Sequence, residues 1–318
     1  WGCSSRFMYG ANYAWHSFAA DFGGISAWGQ DGVAGNPEVA VDLAELAAGG
    51  VSTVRWWVFP SFRGDGVRFD ADGTPVGLGG TALADLERAL ELADENELYL
   101  MLCLFSFDNF EPSGSGSGLW VPGLHPIATD AAKRAALVEQ VVRPFARAAE
   151  QSPHRDHLIA WDVINEPEGA MHGPSKYGDP SFPAWGDLET LSHDEMEVFV
   201  GDVIAGLRQE SSALITIGGL EMDYRRSWSQ TDVDFYQVHN YGSWSYARSP
   251  ADWGITDKPV VLGEMPWSGL GGESYAEVLA TLYGNGYAGA LVWQYNEHRG
   301  QLGEVAAFAS EHPCETRY

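Results

Sequence analysis

The 318-residue chain is 45% hydrophobic and 13% aromatic, which excludes a disordered polypeptide and supplies a large core. Acidic residues number 44 and basic ones 18, for a formal charge of -26, and Lys133, Lys176 and Lys258 are its only lysines. Such a chain repels nucleic acid and anionic lipid, so neither is expected as a partner, and a neutral substrate approaches without Coulomb penalty.

No stretch holds the roughly 18 consecutive apolar residues a membrane helix needs. Phe7–Asn12 reads as a first short strand. Asn36-Pro37 opens a helix as N-cap and first turn, and Gly49-Gly50 closes it. Val51–Phe59 is a near-continuous apolar run, as expected of a strand buried on both faces. Val67–Val76 reads as two short strands around an Asp-Gly turn, its acidic pair being too closely spaced for a calcium loop. Thr81–Asn96 places Leu83, Leu86, Leu90 and Ala93 at helical spacing. Leu98–Phe105 is the next buried strand. Ser113–Gly118 is flexible by composition and is expected as a mobile lip of a cleft. Thr129-Asp130 caps a helix running to about Glu150, with a kink expected at Pro144.

The second half repeats the alternation. Leu158–Ile164 is a strand, and Ser192 with Glu195 forms a capping box for a helix to Gln209. Ala213–Ile217, Asp234–His239, Lys258–Gly263 and Ala288–Trp293 are strands. Glu273–Asn285 and Gly303–Glu311 are helices, while the stretch between Ile217 and Lys258 signals helices poorly. Eight strands separated by helices or long loops predict an α/β fold, a (β/α)8 barrel forming one domain over residues 1–318. A doubly wound sheet is the rival, but no Gly-rich phosphate turn follows a strand.

Cys103 lies in an apolar run and reads as a buried small hydrophobe, whereas Cys3 and Cys314 lie near the two ends. A closed barrel makes the first strand and last helix neighbours, so a Cys3–Cys314 disulfide, an oxidising compartment and secretion are expected. A loop this long corresponds to about 5 kcal/mol in the chain-entropy treatment. Three free thiols is the alternative. The chain opens at Trp1 with no visible leader, which suits a mature secreted form or a trimmed chain.

Barrel active sites lie at the carboxyl ends of the strands. Arg55 sits in the second strand, Asn165-Glu166-Pro167 ends the fourth, His239-Asn240-Tyr241 the sixth, Glu264 the seventh, and Trp293 the eighth. Two glutamates on well-separated strands can face each other across the ring, the arrangement that retaining glycoside hydrolysis requires. One must stay protonated and the other ionised, and Arg55 is available to hold the second. Each residue alone has a plainer reading: a chance tripeptide, a charge at a helix start, a core tryptophan. Their joint placement favours function. Nine histidines are dispersed, and none forms zinc-ligand spacing with another histidine or a cysteine, so no metal or cofactor is expected.

The set Arg55, Asn165-Glu166-Pro167, His239-Asn240-Tyr241, Glu264 and Trp293 resembles glycoside hydrolases of clan A, most closely family 5, over nearly the whole chain. The resemblance implies Glu166 as general acid/base, Glu264 as nucleophile and Asn165 at the sugar 2-hydroxyl. It implies Tyr241 and Arg55 on the nucleophile, His239 near the acid/base, and Trp293 stacked under the sugar being cleaved. Many family members carry a histidine at the end of strand three; here that stretch reads LCLFSFDNF, and Asp108 or Asn109 either fills the polar role or caps a loop. The layout is similar to the endo-β-mannanase branch; an endo-β-glucanase (β-1,4 or β-1,3) and an exo-β-mannosidase or glucosidase are alternatives, and a carbohydrate-binding barrel without catalysis is the non-enzymatic one. Trp56, Trp57, Trp120, Trp185, Trp244 and Trp267 divide between core and sugar platforms. The expected partner is a β-linked oligo- or polysaccharide, and the expected state is a monomer. A lysine-based aldolase or a phosphate-binding isomerase is disfavoured, since no lysine ends a strand.

Overall fold

The structure, a computed structural model, describes residues 7–242, 247–268, 271–297 and 299–313. Eight parallel strands close into a barrel: β1 (Met8–Asn12), β2 (Thr53–Trp57), β3 (Tyr99–Ser106), β4 (Leu158–Asn165), β5 (Leu214–Gly219), β6 (Tyr236–His239), β7 (Val260–Met265) and β8 (Gly289–Val292). Every strand pairs with its sequence neighbours, and β1 closes the ring against β8 with Met8 opposite Gly289. On the other side of β1, against β2, the backbones approach so closely that a Cβ on Gly10 would lie 1.9 Å from the Thr53 carbonyl oxygen, which only glycine avoids. The expected (β/α)8 barrel is therefore the observed fold.

Six longer helices surround the strands: α1 (Pro37–Ala48), α2 (Ala82–Glu95), α3 (131–151), α4 (His193–Glu210), α5 (Tyr275–Gly284) and α6 (Gly303–Glu311). The caps are those the residues dictate. The Asn36 side chain accepts from the Glu38 amide, and Ser192 and Glu195 form the reciprocal box at α4. In α3, where a kink is expected at Pro144, the helix carries one widened π turn over Val138–Val142. Pro144 has no N–H to return to residue 140, and the wider turn absorbs that lost bond without breaking the helix. After β5 and β6 the described residues form only single turns, Met222–Tyr224 and Ala251–Trp253, in keeping with the weak helical signal there.

Aromatic and aliphatic side chains fill the layer between strands and helices, with Trp56, Trp161 and Phe105 fully buried. The Phe7 ring, just before β1, lies 5.3 Å from Phe308 on α6, so first strand and last helix are neighbours as expected. The expected pairing of Cys3 with Cys314 lies outside the described residues; Cys103 is a buried free thiol. Among the described residues no helix is long and apolar enough to cross a membrane.

Two small antiparallel hairpins decorate the barrel. Val67–Phe69 pairs with Pro75–Leu78 around a turn in which Asp70 accepts from the Asp72 and Thr74 amides, as the Asp-Gly motif predicts. The Ser113–Gly118 stretch, expected as a mobile lip, forms a second hairpin, Gly114–Gly116 against Leu119–Val121. Its tip is held by the Trp28 indole, whose Nε1 donates to the Ser117 carbonyl at 3.0 Å. Composition carries no information about that distant indole.

Candidate active site

Arg55 organises the mouth of the barrel. It leaves β2 fully buried, a position a guanidinium occupies only when carboxylates and acceptors surround it. Its Nε donates to Asp162 Oδ2 at 2.8 Å, Nη1 to Glu264 Oε1 at 2.8 Å and to Asn12 Oδ1 at 3.0 Å, and Nη2 to Asn165 Oδ1 at 2.8 Å. Burial alone would lower its pKa, but Asp162, Cys103 and Glu264 raise it on balance, so it stays a cation. Space for it comes from β5, where a Cβ on Gly218 would lie 2.8 Å from Arg55 Nη2. Asp162 is shared further, accepting from Gln237 Nε2 and from the Gly218 amide, each at 2.8 Å. Thus β1, β2, β4, β5, β6 and β7 are tied through one polar network beneath the site.

Glu264 ends β7, and both of its oxygens face donors. Arg55 reaches Oε1, and Tyr241 Oη donates to Oε2 at 2.8 Å. Burial pushes this carboxyl above its ordinary range; Arg55 and the Tyr241 hydrogen bond push it back. Because Arg55 can only donate and the Tyr241 hydroxyl donates here as well, the arrangement favours the ionised form.

Glu166 follows β4 in the left-handed region, with φ of 45°, a strained conformation for a side chain other than glycine. Its amide donates to the Gly218 carbonyl and its own carbonyl accepts from the Gly169 amide, which hold the turn. Among the described residues no arginine hydrogen-bonds it. Burial raises its pKa to about 7, Arg55 opposes this, and Asp108 and Glu221 add to it. The carboxyl is therefore protonated well into the neutral range. His239 Nδ1 lies 2.7 Å from Glu166 Oε1 and 3.7 Å from Glu264 Oε2, the donor depending on the ring tautomer. Burial lowers the His239 pKa to about 4, so the imidazole is neutral.

One oxygen from each of Glu166 and Glu264, together with a ring nitrogen of His239, lie within 4.8 Å of one another. Carboxyls at about 5–5.5 Å serve double displacement, and inversion needs about 6.5–9.5 Å to admit a water between them. The same trio has donor geometry for a cation, but Arg55 already neutralises Glu264 and would repel one.

An aromatic wall stands beside the pair. Trp293, which follows β8, lies 5.7 Å from Trp57 and 6.1 Å from Trp15, and Trp15 continues to Phe18 at 4.9 Å. Trp15, Phe18 and Trp293 are half-buried, leaving ring surface open.

Of the expected site residues, Arg55, Asn165, Glu166, His239, Tyr241 and Glu264 converge, and Trp293 joins the adjoining wall. Asp108 and Asn109 lie in a turn after β3, where the Asn109 side chain accepts from the Ser106 amide and Asp108 from the Ser106 hydroxyl. Capping is thus one of their roles, and Asp108 also acts electrostatically on Glu166. Trp120 is 51% exposed on the second hairpin, its ring against Gly73. Trp56 is core, its indole donating to Asp21, and Trp267 is buried against Tyr275. Trp185 packs edge-on against Phe107, and Trp244 lies outside the described residues. Sequence reasoning missed Asn12, Trp15, Phe18, Asp162 and Gln237. A polar side chain inside an otherwise apolar strand was the available signal for Asn12, Asp162 and Gln237. A hollow of about 990 Å³ lies at the opposite end of the barrel among Tyr9, Ser52, Asp94 and His157, where these folds carry stability rather than chemistry.

No protein-family model matches the chain. It is 26% identical to a mannan endo-1,4-beta-mannosidase of Cryptopygus antarcticus, over 93% of this chain and 82% of that protein. It is 23% identical to a mannan endo-1,4-beta-mannosidase of Mytilus edulis, over 90% and 83%. Among solved structures, a beta-1,4-mannanase from the sea hare Aplysia kurodai superposes with a TM-score of 0.78 at 20% identity, covering 98% of this chain and 95% of that one.

Proposed function

We propose that this chain, a glycoside hydrolase of the clan A, family-5-like kind, cleaves internal β-1,4 linkages of mannan with retention at the anomeric carbon. The observation that carries the reading is the pair Glu166 and Glu264, whose oxygens come within 4.8 Å from opposite sides of the barrel mouth in unlike electrostatic settings. The mannosidase relatives, aligned over nine-tenths of the chain, support mannan as the polymer.

In the first step Glu264 Oε attacks the anomeric carbon as the bond to the leaving oxygen breaks, and Glu166 delivers its proton to that oxygen. Glu264 is then esterified and Glu166 is left as a carboxylate. In the second step Glu166 takes a proton from water, the water oxygen attacks the same carbon from the vacated face, and Glu264 departs as a carboxylate. Both residues return to their starting states. Arg55 and Tyr241 orient Glu264 and take up its charge on release. The neutral imidazole of His239 keeps Glu166 aimed without adding a charge that would ionise it early. Asn165, held by Arg55, is assigned to the sugar 2-hydroxyl, and Trp293 to the apolar face of that sugar. A polymer cannot cross a membrane, so the reaction is assigned to the cell exterior.

The test is reducing-sugar release from mannan, cellulose, xylan, β-1,3-glucan and mixed-linkage glucan, with the first-formed anomer followed by NMR. Mannan cleaved internally to β products is expected. A preference for a glucan, or α products first, would overturn the reading.

A further inference from the structure

Beside Glu166 lies a second buried carboxyl that the double displacement leaves unused. Glu168 belongs to the single turn Pro167–Ala170 that follows β4, and it is fully buried. Its Oε2 accepts from the Leu220 amide at 3.0 Å and its Oε1 from the Trp228 indole Nε1 at 2.7 Å. Both donors are N–H groups that cannot accept, so each oxygen of the carboxylate is matched, and an amide in its place would set N–H against N–H. Burial pushes this carboxyl up to about 7, and the hydrogen bonds from Leu220, from its own amide and from Trp228 oppose that rise. Taking a carboxylate out of water is costly, so its presence two residues from the acid/base points to geometry rather than to stability.

That geometry is a clamp. Strands β4 and β5 pair as far as Asn165 opposite Gly218, and the Glu166 amide adds a bond to the Gly218 carbonyl at 2.6 Å. Glu166 then takes its φ of 45°, a conformation that persists only where the surroundings impose it. Two residues on, the Glu168 side chain reaches the Leu220 amide, so the strained residue is fastened to β5 and the loop after it on both sides. The Gly169 amide closes the turn onto the Glu166 carbonyl at 3.0 Å, and the Trp185 ring covers it so closely that a Cβ on Gly169 would come within 2.2 Å. The Trp228 end of the clamp is anchored in turn. Its ring meets that of His193 on α4 edge-on at 6.0 Å, and His193 Nε2 lies 3.0 Å from the Ser227 carbonyl.

We infer that Glu168 is a positioning residue for the acid/base: by holding Leu220 and Trp228 it fixes the turn so that the Glu166 carboxyl stands in line with the leaving oxygen. The inference rests on the retaining-glycosidase reading and adds to it a residue that touches neither sugar nor reacting atoms. A side chain that only stabilised the fold would, when altered, lower activity on all substrates alike. One that positions the proton donor lowers it according to how much the leaving group needs a proton.

The experiment compares Glu168→Gln with the unaltered protein on a series of aryl β-mannobiosides, from dinitrophenyl to phenyl. Gln keeps one acceptor and loses the other. The ratio of kcat/KM on the phenyl to that on the dinitrophenyl glycoside is expected to fall about tenfold, a fraction of the roughly 10²–10⁴-fold that a general acid supplies. Trp228→Phe keeps a ring against His193 and removes the donor; it should lower the same ratio, and the two changes together should lower it little further. An equal loss across the series, or a lower Tm with the ratio unchanged, overturns the inference. If Glu168→Gln does not fold, Trp228→Phe decides it by the same ratio. If the unaltered protein ignores mannosides but cleaves another polymer of the panel, the mannanase reading fails, and the ratio on the matching aryl glycosides judges the clamp. If it cleaves no glycoside, Glu166 is not an acid/base and the inference falls with the reading.

Discussion

The ends of β4 and β7 carry the same side chain and differ in almost everything else. Glu264 leaves β7 within the strand itself, with an arginine on one oxygen and a tyrosine hydroxyl on the other. Glu166 leaves β4 through a left-handed turn, lacks an arginine hydrogen bond, and meets a neutral histidine. Burial alone drives both carboxyls toward the protonated form. The placement of donors then separates them, so one mouth holds an acid and a nucleophile built from identical chemistry.

That contrast predicts unequal responses to deletion. The largest effect is expected for Glu264→Gln, which removes the nucleophile and should lower turnover of every substrate by at least about 10³-fold. Oligosaccharide binding measured by calorimetry should persist, because the amide keeps the shape and the Tyr241 contact. Appreciable turnover in this variant would mean the roles are misassigned.

Glu166→Ala should be more selective. Loss on natural mannan is expected at about 10²–10⁴-fold, the usual worth of a general acid, with a much smaller loss on aryl glycosides whose leaving groups need no proton. Added azide should then restore turnover and yield the β-glycosyl azide, readable by NMR. Equal losses on both substrates would break the distinction between the two glutamates.

The mildest test is by pH. Glu166 must carry its proton to act as acid, so kcat/KM should decline as pH rises through about 7. The Asp108 charge disfavours ionisation of Glu166, and therefore Asp108→Asn should move that upper limb to lower pH. A lower limb belongs to Glu264, which must be ionised to attack. A shift of the upper limb to higher pH in Asp108→Asn would contradict the electrostatic account.

How far the sequence reaches differs between elements. The strands were legible because a strand covered on both faces has to be apolar along its whole length, and Leu98–Phe105 matches the observed Tyr99–Ser106 within a residue at each end. Polar residues ending such runs stood out for the same reason, which is how Arg55, Glu166, His239 and Glu264 were found. Asn12, Asp162 and Gln237 each stand out as one polar residue in an apolar strand, but that signal does not say which partner the side chain meets across the barrel. Trp15 and Phe18 carry no local signal at all, belonging to no regular element. The hairpin contact of the Ser113–Gly118 stretch was not legible either, because its partner, Trp28, lies 89 residues away.

By itself, the sequence determined that the chain is an acidic α/β barrel with two glutamates at strand ends, because strand burial and helix capping are written in local patterns of side chains. Tertiary structure alone decided which glutamate is held charged, which aromatic rings form the wall and which donors Glu168 meets. Those outcomes depend on distances between groups far apart in the chain, and such distances exist only once the barrel has closed.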